Sequence, residues 1–209
     1  MLKSPSKKIH PLHPSMVLLT IKRLQHRMRV SSKHITLASR YFQRMLQGQW
    51  KEGEQLRSRG HVEIPIEENW EVDTFIILLN IIHCRSKAVP KTVNLETLVD
   101  LTVLADFYDC VDAVHFYAGA WIRSCPITKP KTYSEDLVRW MFVCLAFDSQ
   151  EYLKPLMRIY LKHGSGPIDA QGLPIADSLI SEYRKEIANL EAEAAQSNSM
   201  NGDANWSSH

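Results

Sequence analysis

The sequence has no closely paired cysteines, no long unbroken apolar run and, through residue 51, no acidic residue at all. Cys84, Cys110, Cys125 and Cys144 are scattered without a CxxC pair. That pattern supplies neither a zinc knuckle nor a disulfide framework, and it suits buried thiols in a reducing compartment. The histidines lack metal spacing: no HExxH occurs, and His10 and His13 fall in a proline-rich stretch, so no metal or other cofactor is expected. The longest apolar run, Phe75 to Ile82 (FIILLNII), is interrupted by Asn80 and is too short to span a bilayer. Met1 to Pro14 carries lysines, prolines and histidines without an apolar stretch. A secretory leader is therefore not expected there, and an intracellular location, cytoplasm or nucleus, is. Internal repeats and low-complexity blocks are also missing.

What is present is a core-forming composition, 44% hydrophobic and 23% charged, ordinary for a globular domain. The charge is lopsided. Residues 1 to 51 carry eleven Lys/Arg and no acid, whereas the remaining 158 carry fourteen bases against twenty-three acids, a balance of −9. A basic N-terminal region can be a nucleic-acid footprint. It can equally face the acidic remainder, in the same chain or in a second copy. No zinc finger, recognition-helix signature or aromatic-rich basic strand accompanies the charge, so specific nucleic-acid recognition is not expected.

Periodicity predicts an α+β fold. Residues 1–14 read as a disordered basic tail. MVLLTI, Met16 to Ile21, reads as a buried strand, and HRMRVS, in which Met28 and Val30 alternate with Arg27 and Arg29, as a strand with one wet face. Ser31 or Ser32 can cap a short helix through Leu37, and Ser39 the next, with Phe42, Met45 and Leu46 on one face. Gly48 to Gly60 is polar and bounded by glycine, and predicts a mobile loop. HVEIPI, His61 to Ile66, alternates like a strand, with Pro65 placing it at an edge. Helices follow: one capped by Asn69 carrying Val72, Phe75 and Leu79, one capped by Asn94 through Leu104, and one beginning near Asp109. PITKP, Pro126 to Pro130, is the expected boundary, giving a domain over 15–125 and a helical extension over 126–195. The extension's last helix, Ile175 to Ala195, carries Ile180, Tyr183, Ile187, Leu190 and Ala194 as a seam that either folds back or pairs with another chain. Residues 196–209 read as a second disordered tail.

In this order of elements the stretch VSSKHITLASRYFQRML, Val30 to Leu46, resembles the BTB/POZ domain, most closely its fungal members. The resemblance rests on Val30, the SxH of Ser32 to His34, the LAS of Leu37, Ala38 and Ser39, Phe42, and Met45-Leu46. GQWK (Gly48 to Lys51), NIIHCR (Asn80 to Arg85), ADFYDCVDAV (Ala105 to Val114, with Asp106 and Tyr108) and GLPIADSLI (Gly172 to Ile180) are similar to further family segments, so the likeness runs from about Met16 to Tyr183. It implies a small sheet with an N-terminal hairpin packed on a helical cluster, and a non-enzymatic adaptor that self-associates and docks a protein partner. A cullin-type ubiquitin-ligase substrate adaptor is the alternative within that family. Met16-Val17 stands where many members open with Asp-Val, and no hydrophobic-x-Glu motif lies between Arg85 and Asn94.

The same stretch can be read as chemistry, since it gathers three serines, a histidine and a lysine. A hydrolase needs a nucleophile held by an oriented base. No G-x-S-x-G elbow occurs, and the S-x-x-K match, Ser4 to Lys7, lies in the proline-rich stretch. The serines instead take cap positions, and His34 is expected at the core edge, bonding backbone. Expected interface residues are Met16, Val17, Leu18 and Leu19, whose strand is apolar on both faces and needs cover as an edge, with Arg27, Arg29, Lys33 and Arg44 as a basic strip. Trp50 either packs on its own flank or meets a partner. Leu37, Phe42, Leu46, Phe75, Leu79 and Leu104 are expected in the core. The partner expected is a protein, including a second copy, with no small-molecule substrate and no membrane.

Overall fold

The computed structural model describes residues 15–21, 26–66, 70–124, 130 and 132–163, and positions 173, 181, 185 and 188. The fold is α+β: a small three-stranded sheet accompanied by helices. By packing, the chain divides into two compact units, Met1–Lys91 with Leu104–Phe116, and Thr92–Val103 with Tyr117–His209. The sequence placed its boundary at Pro126 because proline and lysine mark connections. The division by packing falls inside two helices.

In the first unit, β1 (Met16–Ile21) lies between β2 (His26–Ser31) and β3 (His61–Ile66). It pairs antiparallel with β2, Val17 opposite Val30, and parallel with β3, Val17 opposite Val62. The period-two pattern is plain in β1 and β3: Val17, Leu19, Ile21, Val62, Ile64 and Ile66 are buried, and Met16, Leu18 and Thr20 are half-buried on the opposite face. This corrects two expectations. β1 is the central strand, not an edge in need of cover, and Val17 and Leu19 are core, not interface. Pro65 does sit on an outer strand, where its missing N–H does no harm.

α1 (Ser32–Ala38) and α2 (Arg40–Gln47) are separated by Ser39 in an extended conformation. Its hydroxyl accepts from the Phe42 amide at 3.1 Å, as expected of a cap, and donates to the carbonyl of Tyr108. Ser31 precedes α1 without a side-chain cap bond, and the Ser32 hydroxyl donates instead to the Ser15 carbonyl at 3.0 Å. Gly48 to Gly60 is not a loop: it contains α3 (Lys51–Arg59). Glu52 and Glu54 lie in its first turn, Arg57 and Arg59 in its last, and Gly60 ends it at φ 74°. That arrangement of charge and glycine favours a helix whatever its polarity. Gly53 is buried because α3 passes close to α2: a Cβ there would lie 2.7 Å from the Leu46 carbonyl oxygen.

α4 (Val72–Ile82) buries Thr74, Phe75, Leu78, Leu79, Ile81 and Ile82; Asn69, its expected cap, lies outside the described residues. α5 (Leu95–Phe107) is capped as expected, the Thr97 amide donating to Asn94 Oδ1 at 2.8 Å. Asp109 does not begin the next helix. It takes φ 50°, and α6 (Val111–Ser124) starts two residues on. Tyr108 centres the core of the first unit, its ring stacked on Phe42 (centroids 5.1 Å) and edge-on to Phe75 (5.7 Å). Phe42, Leu46, Phe75, Leu79 and Leu104 are buried as expected, with Val30, Ser32 and Ser39. Leu37 is not: it is 89% exposed. α1 turns Ser32 and Ile35 inward, and a residue two positions beyond Ile35 falls on the opposite face. Ala38 and Met45 are half-buried, and Asp106 is exposed.

The second unit includes α7 (Glu135–Ala146), capped by the Ser134 hydroxyl, and α8 (Gln150–His163). The two pack on each other, burying Val138, Trp140, Met141, Leu153, Leu156 and Met157. The helix expected over Ile175 to Ala195 lies outside the described residues except for Ser181, Lys185 and Ala188, which are helical and exposed; its apolar seam is outside them entirely. Both tails also lie outside. Among the described residues, no helix is long and apolar enough to cross a membrane.

Candidate functional site

Two of the three serines of Val30 to Leu46 serve the fold. Ser32 and Ser39 spend their hydroxyls on backbone carbonyls. His34 does not bond backbone at the core edge as expected; it is exposed and stacks on the ring of His83, centroids 5.0 Å apart. The role foreseen for His34 falls to His83. The Ser31 amide donates to His83 Nε2 at 3.0 Å, and Nδ1 lies 2.8 Å from the Leu79 carbonyl oxygen. One nitrogen must accept and the other donate, so the neutral ring with hydrogen on Nδ1 satisfies both bonds. Burial holds the His83 imidazole below its ordinary pKa against the Leu79 carbonyl, and the neighbouring His34 and Arg85 push the same way as burial. A nitrogen already filled by an amide hydrogen is poorly placed to accept a serine's proton. Among the described residues, no group of three or more His, Cys, Asp or Glu is gathered as for a metal ion.

The expected basic strip divides into paired and unpaired members. Arg27 meets Glu63 at 3.3 Å, whose carboxyl the Thr20 hydroxyl (2.8 Å) and then Arg27 hold below the usual carboxylate range. Arg44 meets Asp109 at 2.7 Å. Both pairs are open to solvent and contribute little stability, but they neutralise their arginines. Arg29 and Lys33 are exposed and have no ion-pair partner among the described residues.

The first unit carries two concave surfaces of note among the described residues. One is an open groove of about 760 Å³ between the α1–α2 pair and the start of α6, with Leu37, Arg40 and Gln43 on one side and Asp109 and Asp112 on the other. Leu37 is its exposed apolar rim. Trp50, at the N-terminus of α3, is 65% exposed, so it does not pack deeply on its own domain. The second is a smaller cavity of about 250 Å³ between β2 and α4, floored by Val30, Ile76 and Leu79 and carrying Arg29, His83 and Arg85. Sequence reasoning missed this cavity, and named neither His83 nor Arg85 as a site residue. The signal available was HCR directly after an apolar helix, where a histidine can turn back to the last carbonyls.

No protein-family model matches the chain, and a search of curated proteins finds no match.

Proposed function

We propose that the chain is a BTB/POZ-like, non-enzymatic protein–protein interaction module that self-associates through α1 and its flanking groove. The observation that carries this reading is Leu37: a leucine 89% exposed on a seven-residue helix buries almost none of its side chain in its own fold. Supporting it are the order of hairpin, short helix pair, strand and apolar helix, and the family-like motifs of Val30 to Leu46. The groove beside Leu37 offers Arg40 on one wall and Asp112 on the other, so a two-fold axis there would pair each with its opposite in the second copy. Trp50 supplies a further exposed aromatic of the kind that anchors interfaces. Val17 and Leu19 have no part in the contact. The basic N-terminal region adds weak, salt-sensitive attraction to polyanions without sequence preference.

Light scattering on a sizing column at micromolar concentration tests the reading. The wild-type chain is expected at twice its own mass and Leu37→Asp at its own mass, with the same helical content by circular dichroism. A monomeric wild-type chain would sink self-association and leave docking of a different protein; a Leu37→Asp dimer would remove α1 from the contact.

A further inference from the structure

We propose that the outer edge of β2 is a second docking surface, occupied by an extended segment of a partner protein that adds to the sheet and places a carboxylate in the cavity beside Arg29 and Arg85. The register of the hairpin carries the first half. Ser32 donates its amide to Ser15, and opposing residues in an antiparallel ladder alternate between exchanging hydrogen bonds and not exchanging them. Val30 and Met28 therefore turn their backbone groups toward β1, while Ser31, Arg29 and Arg27 turn theirs outward. The Ser31 amide confirms this direction, because it leaves the sheet to meet His83 Nε2. The next outward N–H and C=O belong to Arg29, and no strand lies on that side among the described residues.

The cavity carries the second half. It lies along this same edge, and its volume of about 250 Å³ falls below the roughly 300–1,000 Å³ of small-molecule sites. It has room for a side chain of an added strand. Its lining mixes the apolar Met28, Val30, Ile76 and Leu79 with the polar Asn80 and His83, and its two arginines, Arg29 and Arg85, are exposed with no ion-pair partner among the described residues, unlike Arg27 and Arg44. Arginine forks bind carboxylates through paired charge-assisted bonds. Charged side chains alone can guard a sheet edge, but a guarded edge has no use for a cavity beside it. In strand addition, backbone bonds supply affinity and a pocket for alternate side chains supplies selectivity. Both parts are present here. The surface is distinct from Leu37, so this inference and the self-association reading fail separately.

The test uses the full chain and two synthetic probes, acetyl-Thr-Val-Thr-Glu-Thr-Val-Thr-amide and its Gln counterpart. Amide exchange is followed by two-dimensional NMR and affinity by titration. In the free chain the Arg29 amide is expected to exchange fast, saturating Glu peptide to slow it, and the Glu peptide to bind about tenfold or more tightly than the Gln peptide. The Arg29→Gln/Arg85→Gln double variant should bind both peptides equally weakly, with unchanged melting. Leu37→Asp should bind the Glu peptide as the wild type does. An Arg29 amide that stays unprotected in peptide excess, equal affinity for the two peptides, or undiminished binding by the double variant would each overturn the proposal.

Discussion

The amide of Ser31 donates to Nε2 of His83 at 3.0 Å, joining the end of β2 to the end of α4 through a neutral imidazole. A protonated ring carries hydrogen on both nitrogens and loses the ability to accept that bond. Protonation is opposed by burial first, and by His34 and Arg85 around the ring. The native pKa therefore lies below the ordinary value of about 6.5, and the unfolded chain binds the proton more readily. The bond's stabilisation is present above that ordinary value and is lost as pH falls toward the native one. Thermal midpoints measured from about pH 7.5 down to 5 should fall more steeply in the wild type than in His83→Gln, which keeps an acceptor and a donor but does not titrate. Parallel slopes would show that another group governs the acid response.

Leu37 and Leu79 both read as core in the sequence, and the structure separates them. Leu79 is buried in α4, so truncation to alanine should lower stability by about 2–5 kcal/mol in denaturant melts. Leu37→Ala removes surface that is exposed in the single chain and, melted at a concentration low enough to keep both proteins monomeric, should stay within roughly 0.5 kcal/mol of the wild type. A large loss at Leu37 together with a small one at Leu79 would reverse the assignment of faces on α1 and α4.

Two helical glycines should respond to alanine with opposite sign. At Gly119 the nearest atom to an added Cβ is Arg123 Nη1 at 3.5 Å, an ordinary contact, and Gly119→Ala should gain up to about 1 kcal/mol from helix propensity. At Gly53 the same Cβ would stand 2.7 Å from the Leu46 carbonyl oxygen, which is backbone and cannot swing aside. Overpacking of this kind costs about 1–3 kcal/mol, more than propensity returns. Urea melts of the two variants would check the pair, and stabilisation by Gly53→Ala would mean that α3 does not approach α2 so closely.

These contrasts show what the sequence carries and what it conceals. Alternation in MVLLTI and HVEIPI, the Ser39 and Asn94 caps, and the apolar stripe of α4 are local signals, and the elements they announce are present. Position within the sheet is not local: β1 reads as apolar on both faces, and only the parallel pairing with β3, brought back by α1 to α3, makes it central. α3 escaped detection because its polarity and glycines suggest a loop. Its acid-to-base charge order and terminal Gly60 were the readable counter-signal. Leu37 was misplaced by composition, since a helix of seven residues is too short to show its period. The β2–α4 cavity needs residues about fifty positions apart, Arg29 and Arg85 among them, and no window on the sequence joins them.

The cysteines give the last prediction. Burial, and then the charge of Asp109, pushes the Cys110 thiol up to about 12. At about pH 8 the thiolate, the reactive form, is therefore scarce. Cys144 is also buried, whereas Cys84, at φ 56° just beyond α4, is exposed. Under native conditions a maleimide should modify Cys84 within minutes and leave Cys110 and Cys144 unlabelled, as read by mass spectrometry of the digested chain. In denaturant all four cysteines of the chain should react alike. The sequence expectation of buried thiols is thus met at Cys110 and Cys144 and fails at Cys84, which the turn after the helix carries to the surface. Native labelling of Cys110 as fast as Cys84 would require the junction between α5 and α6 to open far more often than the global unfolding equilibrium allows, and would contradict a Tyr108-centred core.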